Sequence, residues 1–347
     1  MPSVTIDTCV LAAPPLTATH TDIEFYVETL LDWKKLLDEP WVSIYMSEKA
    51  SEAMFAADVY PLRQALKSLF MQNGFQVYDA NTVALLIQQL LTKTPYLETY
   101  FKIGDVLPDN VETKPDLLSI HSCPILADEL ARIVVILAIL RSSCKNPTLD
   151  HSLIIKPWEG SKLVKVKALI YEIETTRDDI SDLPDPPEFF IGEVLTCTNF
   201  REFIMSLDEE AIWKTAIDEE GLTLATNIAV YKDRLDRKID PDWENIPYFC
   251  FNKKFLSYVL DCENDGVSQL IEKTLRSLVE TIDGQNLSAI HPKRTGKGGN
   301  DPQQTRGRDK AWRRDIDREY HLHYWQCDDG TIEFASVGPH NMFECPE

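Results

Sequence analysis

Two sets of side chains in this 347-residue sequence have the types and spacing to do chemistry. The first is acidic. Asp7 ends or follows a short β-branched stretch, and Glu48 and Glu52 open a helical segment just after another. Asp128 and Glu129 open a third segment, and Glu159 follows the stretch 152–156. Acids at the carboxyl ends of several strands of an α/β sheet converge on one edge. Asp7 in a buried strand would cost several kcal/mol of desolvation unless something offsets it, on the order of 2–7 kcal/mol for a polar group alone. Converging carboxylates of this kind form a Mg²⁺ or Mn²⁺ site, here with Asp7, Glu52, Asp128 and Glu159 as ligands and Glu48 assisting. Such a site activates water for in-line attack on a phosphodiester. A plainer alternative stays open: Asp7 caps a turn, and the others are first-turn helix acids facing the positive end of a helix dipole.

The second set is basic. Between residues 291 and 314 stand Lys293, Arg294, Lys297, Arg306, Arg308, Lys310, Arg313 and Arg314, opposed by Asp301 and Asp309. The segment carries +6, while the whole chain carries −21 and the remainder therefore −27. The overall sign argues against a protein that coats nucleic acid, and the local reversal points to phosphate contacts. Arg313 and Arg314 have the fork geometry for phosphate, but neighbours on a strand face opposite sides, so one of the two reaches it. His291 and His340 supply imidazoles, and His321 and His323 share a strand face as a ligand pair or as packed or solvated side chains. A solvated loop, a contact to an acidic protein surface, or masking by the chain's own acidic remainder are the alternatives for the basic segment.

The elements that must hold these groups follow from periodicity. The stretches 4–11, 41–46, 152–156 and 163–173 read as strands, and 23–37, 59–70, 81–91 and 124–140 as helices, with Asn81 as an N-cap. Their alternation predicts an α/β domain over 1–175. The acidic, proline-rich stretch 175–187 reads as a boundary, and 176–246 as a linker or intermediate segment. Beyond it, 248–251 reads as a strand, 253–283 as mostly helix, and 320–325 and 331–337 as strands joined by the turn Asp328-Asp329-Gly330. The region 247–347 is thus an α+β domain with a small antiparallel sheet.

Composition excludes several classes. Hydrophobic residues make up 44% and charged residues 26%, values of a chain able to bury a core, so wholesale disorder is excluded. No apolar run reaches the roughly 18–20 residues that span a bilayer. The amino terminus lacks a basic region, and the eight scattered cysteines form no CxxC, which predicts a reduced, cytoplasmic setting. Gly296-x-Gly298-Gly299 lacks the strand and the Lys-Ser/Thr of a Walker loop, and no Gly-x-Ser-x-Gly occurs.

Two resemblances rest on these residues. Ile6-Asp7-Thr8-Cys9-Val10-Leu11, the segment 43–48 with Glu52, and Asp128 before an apolar helix resemble the PIN nuclease domain over about 1–160. That family prefers Thr-x-Asp where this chain has Lys156-Pro157-Trp158-Glu159. Trp312-Arg313-Arg314-Asp315-Ile316, Tyr320-His321-Leu322-His323-Tyr324 and Val337-Gly338-Pro339-His340 resemble, in order and spacing, the RelE/YoeB family of ribosome-dependent RNA-cleaving toxins over about 247–347. This second resemblance implies His340 as a catalytic histidine and His291 in the place of a carboxylate base. Two departures stand out: His321 replaces a central arginine, and no tyrosine ends the chain. Together the resemblances imply phosphodiester cleavage, that of an endoribonuclease, in a bacterial toxin–antitoxin or anti-phage defence setting. The partners implied are RNA or DNA, the ribosome, an antitoxin or another defence subunit, with no membrane. The alternative implied by the departures is a non-catalytic nucleic-acid-binding or assembly subunit.

Overall fold

The computed structural model describes residues 2–143, 151–176, 183–264, 270–296, 300–342 and 345–346. The chain forms two compact units, Met1–Ser206 and Leu207–Glu347. Each mixes helices with its own sheet, as the expected α/β and α+β classes require.

The first unit runs β1 (Ser3–Ile6), α1 (Thr8–Leu11), α2 (His20–Asp38), β2 (Ser43–Met46), α3 (Ala50–Ala56), α4 (Arg63–Gln72), α5 (Ala80–Lys93), α6 (Leu97–Phe101), β3 (Ile103–Lys114), α7 (Pro124–Ser143), β4 (His151–Ile154), β5 (Leu163–Thr175), β6 (Glu188–Cys197) and α8 (Phe200–Ser206). Its sheet has the order β2-β1-β4-β6-β5-β3. The first four strands are parallel, and β5 and β3 form an antiparallel wing. β1 is buried on both faces, which explains its β-branched, uncharged composition. On β5, Val164, Val166, Ala168 and Ile170 are buried while Lys165 and Lys167 are exposed, so the wing is covered on one face. The cover is α7, whose residues from Ile133 to Leu140 are apolar all round and pack in the same core as those β5 side chains. The chain leaves β1 for β2 on one side and returns to β4 on the other. The carboxyl end of β1 is therefore the topological switch point, where open α/β sheets place their ligands.

Several local readings change. The stretch 4–11 is not one strand, because the backbone turns into α1 at Asp7. α5 is capped by Asp79, whose carboxylate accepts from the backbone N–H groups of Asn81 and Thr82, so Asn81 lies inside the helix. α7 begins at Pro124, so Asp128 and Glu129 lie past its first turn and are not dipole-facing acids. The unit boundary falls at Ser206, not 175, because β6 comes after the proline-rich stretch and inserts between β4 and β5. Residues 177–182 of that stretch lie outside the described residues.

The second unit runs α9 (Glu209–Thr215), α10 (Glu219–Asp236), β7 (Phe249–Phe251), α11 (Phe255–Asn264), α12 (Leu270–Ile282), β8 (Ile290–Pro292), β9 (Thr305–Arg306), β10 (Asp309–Asp315), β11 (Tyr320–Gln326) and β12 (Ile332–Pro339). Its sheet has the order β7-β12-β11-β10-β8, with β9 beside β10. All pairings are antiparallel except β7 with β12. α12 buries Leu270, Ile271, Leu275, Leu278, Val279 and Ile282, the face its helical period predicts. That face meets Leu322, Tyr324, Phe334 and Val337, so one side of the sheet is the core. Residues 209–236, within the expected linker or intermediate segment, form two helices of this core: Trp213, Leu222 and Val230 are buried in it.

One buried group in the first unit carries a pH signature. His151 on β4 lies between two hydroxyls of β1, 2.7 Å from Ser3 Oγ at Nδ1 and 2.7 Å from Thr5 Oγ1 at Nε2. Burial pushes its pKa down to about 3, so the folded imidazole is neutral and one nitrogen donates while the other accepts. A histidine depressed in this way stabilises the fold above its unfolded pKa of about 6.5, and the contribution is lost as pH falls from there toward 3. Chemical unfolding of the first unit should lose up to roughly 1.4 kcal/mol per pH unit across that window from this group. His151→Gln should have a flatter pH dependence than the wild type, and parallel curves would refute the assignment.

Candidate functional site

At the switch point, Asp7 occupies the N-cap position of α1, yet its side chain makes no cap hydrogen bond. Its carboxylate is fully buried, and Oδ2 accepts from His121 Nε2 at 3.0 Å. Oδ1 and His121 Nδ1 are buried with no hydrogen-bond partner. Burial opposes a charge on His121, but the neighbouring Asp7 carboxylate and Cys9 thiol outweigh it and push its pKa up to about 10. Ligand atoms of Asp7, Cys9 and His121 lie within 4.8 Å of one another, all three residues are buried, and the group could hold a metal ion.

A second cluster forms at the end of the adjacent strand. β1 and β2 are in register, Ile6 beside Met46, so Ser47 leaves the sheet next to Asp7. The Ser47 hydroxyl contacts Glu129 and Glu98 and accepts from Arg132 Nη2 at 2.7 Å. Arg132 donates from Nε and Nη2 to Glu129 at 3.1 and 3.0 Å and also pairs with Glu98. Glu98 further accepts from the Glu48 backbone N–H at 3.0 Å. A guanidinium thus neutralises the buried acids of this edge, and those acids raise its own pKa against the effect of burial.

The carboxylate cage expected for Mg²⁺ or Mn²⁺ is not formed. Glu48, Glu52, Asp128 and Glu159 are exposed, and among the described residues a single group of three metal-competent side chains forms, that of Asp7, Cys9 and His121. Asp128 instead lines a cleft of about 570 Å³ together with Lys49, Asp105 and Arg132. The residues that replace the expected ligands carry a signal in sequence. Asp7-Thr8-Cys9 and His121-Ser122-Cys123 are two i, i+2 donor pairs, neither at CxxC nor at zinc-finger spacing.

In the second unit the sheet face opposite the helices carries the imidazoles. His291, Arg313, His323 and Ser336 are successive cross-strand neighbours on β8, β10, β11 and β12 and share that face. One step along, Asp315 pairs with His321. Asp315 Oδ1 lies 3.2 Å from His321 Nε2 and its Oδ2 3.5 Å from His291 Nε2, so one carboxylate spans two imidazoles. The His340 ring stands 4.7 Å from that of His321. Burial pulls His321 down to about 4, with Arg313, His340 and Lys293 opposing its charge and Asp315 favouring it. Lys293 Nζ lies 3.0 Å from His323 Nε2, and burial lowers its pKa to about 8. The backbone after β12 covers His323 and Lys293: Lys293 donates to the Met342 carbonyl, and Trp325 Nε1 to the Pro346 carbonyl at 2.8 Å. A Cβ on Gly338 would fall 2.4 Å from Met342 Sδ, so a larger residue there would have to displace that methionine side chain. His291, Asp315 and His340 remain accessible and Arg313 is half-buried.

The basic segment is not a continuous phosphate track. Arg314 is fully buried and donates to Glu280 Oε2 at 2.7 Å and to the Gln285 carbonyl at 2.6 Å, closing the carboxyl end of α12. Arg306 pairs with Asp309 and Glu333, Arg308 with Asp328, and Arg294 donates to the Asp301 carbonyl. Lys310 is exposed, and Lys297 lies outside the described residues. Much of the segment's charge is therefore neutralised within its own unit. Arg313 sits on the imidazole face, and its Nε, like that of Arg314, is buried without a hydrogen-bond partner.

No helix among the described residues is long and apolar enough to cross a membrane. Comparison with protein-family models, with curated proteins and with solved structures produced no match.

The two neighbouring arginines should separate by assay. Arg314→Ala leaves Glu280 and the last carbonyls of α12 without their cation and should cost roughly 3–5 kcal/mol of unfolding free energy. Arg313→Ala should cost under about 1 kcal/mol. Equal losses in urea denaturation would contradict this division of roles.

Proposed function

We propose that the second unit cleaves single-stranded RNA without a metal, at the imidazole face of its sheet. The observation that carries the reading is the array of His291, Asp315, His321 and His340 with Arg313 beside it on one face. Imidazole titrates near neutral pH and can take or give a proton there. Asp315 on Nε2 of His291 favours the tautomer whose Nδ1 accepts the 2′-hydroxyl proton. The 2′-oxygen attacks phosphorus, the P–O5′ bond breaks, and His340 protonates the departing 5′-oxygen. The products are a 2′,3′-cyclic phosphate and a 5′-hydroxyl. Arg313 meets the charge that develops on the phosphoryl oxygens, a role in which buried donors act most strongly. The resemblance of 247–347 to the RelE/YoeB toxins supports the same chemistry, and it alone suggests the ribosome as the place where the RNA is met and a toxin–antitoxin or anti-phage setting.

One observation favours the second reading, a nucleic-acid-binding subunit without catalysis. His321, at the place of the toxin family's central arginine, and Arg314 are both buried, so fewer cations face the phosphate than in that family.

The test is incubation of the full chain with end-labelled single-stranded RNA in EDTA, with and without ribosomes. Cleavage to 2′,3′-cyclic ends is expected, with the all-deoxy strand uncut. His291→Ala and His340→Ala should each lose roughly 10²–10⁴-fold in rate, the usual contribution of a positioned acid or base. RNA that is bound in a gel-shift assay but never cut would replace this reading with the binding one.

A further inference from the structure

Asp7, Cys9 and His121 remain without a role in the chemistry of the second unit. We propose that these three side chains bind a thiophilic divalent cation of the zinc class at the carboxyl end of β1, and that this site, not a carboxylate cage, is the metal site of the first unit. Three independent observations carry it. The three ligand atoms lie within 4.8 Å of one another and come from a strand end, the adjoining helix and the segment before α7. Asp7 Oδ1 is completely buried and has no partner, although such oxygens are almost always hydrogen-bonded or ligated. Glu48, Glu52, Asp128 and Glu159 are exposed and join no metal-competent group among the described residues, and the neighbouring buried acids Glu98 and Glu129 are paired with Arg132.

Donor chemistry selects the metal. Mg²⁺ takes oxygen ligands in octahedral geometry and gives up its waters reluctantly, so one buried carboxylate with a thiol and an imidazole does not suit it. Thiolate with imidazole is a set for Zn²⁺ and its tetrahedral relatives. Binding would release the thiol proton of Cys9 and the extra ring proton that pairing with Asp7 favours on His121, leaving a neutral imidazole with a carboxylate and a thiolate that together supply two negative charges to a divalent ion. Four-coordinate zinc needs one further ligand. Cys123 stands two residues beyond His121 and packs against the apolar cluster that contains Cys9, but it lies outside the group whose ligand atoms are within 4.8 Å, so it would have to turn inward to take that position. An Asp-x-Cys and a His-x-Cys pair would then close the site.

The full-length chain, stripped of metal, is titrated with Co²⁺ and read by absorption. One equivalent should bind with a thiolate-to-cobalt charge-transfer band in the near ultraviolet and visible bands of tetrahedral intensity, and Zn²⁺ should displace it stoichiometrically while excess Mg²⁺ does not. Cys9→Ser should remove half or more of the charge-transfer intensity, and Cys250→Ser should leave it unchanged. Because Cys9→Ser could perturb folding, alkylation of the wild type provides a second readout: Zn²⁺ should slow modification of Cys9 by at least tenfold relative to that of Cys327. No saturable Co²⁺ binding by the wild type would overturn the proposal. So would a charge-transfer band of undiminished intensity in Cys9→Ser, or ready displacement of Co²⁺ by Mg²⁺. None of these outcomes bears on RNA cleavage in EDTA, so the two readings fail separately.

Discussion

A charge removed from water must be met by an opposite charge or by hydrogen bonds, and in both units this constraint decides which ionisable side chains are structural. In the first unit Glu98 and Glu129 are buried because Arg132 is buried with them. In the second, Arg314 is buried because Glu280 and the last carbonyls of α12 receive it. These pairs fix geometry: one ties the end of β2 to α6 and α7, the other ties β10 to α12. The groups that the constraint leaves incompletely met are equally informative. Asp7 keeps a buried oxygen without a partner at the switch point of the first sheet, and Arg313 keeps a buried Nε on the imidazole face of the second.

Asp7 and Arg313 sit in different chemistry because the sheets differ. β1 is covered on both faces, so Asp7 at its carboxyl end is buried and must be satisfied by protein groups or by an ion. A dry site with one carboxylate, one thiol and one imidazole suits a metal held tightly by soft donors. The second sheet buries one face against α10, α11 and α12, while part of the opposite face stays open beside the backbone after β12. An open face with imidazoles linked through Asp315 suits proton transfer to a ligand arriving from solvent.

Strands β2 and β4 of the first sheet and β11 and β12 of the second were legible from the sequence because their burial writes a short period. Residues 41–46, 152–156 and the hairpin 320–337 stand out by β-branched or alternating composition, and α7 by its unbroken apolar run. The long wing strand β3 was not legible. Its pairing with β5 is interrupted by three register shifts, and Pro108 sits inside it, so no clean alternation survives. β6 was hidden by topology, since it comes after β5 in the chain yet lies between β4 and β5 in the sheet. The sequence directs attention to the acids at the strand ends, and the structure places Asp7 at the carboxyl end of β1. Its partner His121 lies 114 residues away, at a distance that local spacing cannot read, and Glu129 beside Asp128 found an arginine three residues on in its own helix. The basic segment misled in the opposite direction: a sum of charges cannot tell that Arg306 and Arg314 face acids of their own unit.

The central claim is that the buried oxygen of Asp7 belongs to a soft-donor metal site and not to a cluster of carboxylates. X-ray absorption at the zinc edge of the loaded, full-length protein tests it most directly. The account predicts at least one sulfur neighbour at about 2.3 Å with nitrogen or oxygen neighbours at about 2.0–2.1 Å in a four-coordinate shell. A six-coordinate shell of oxygen alone, with no sulfur scatterer, would contradict it.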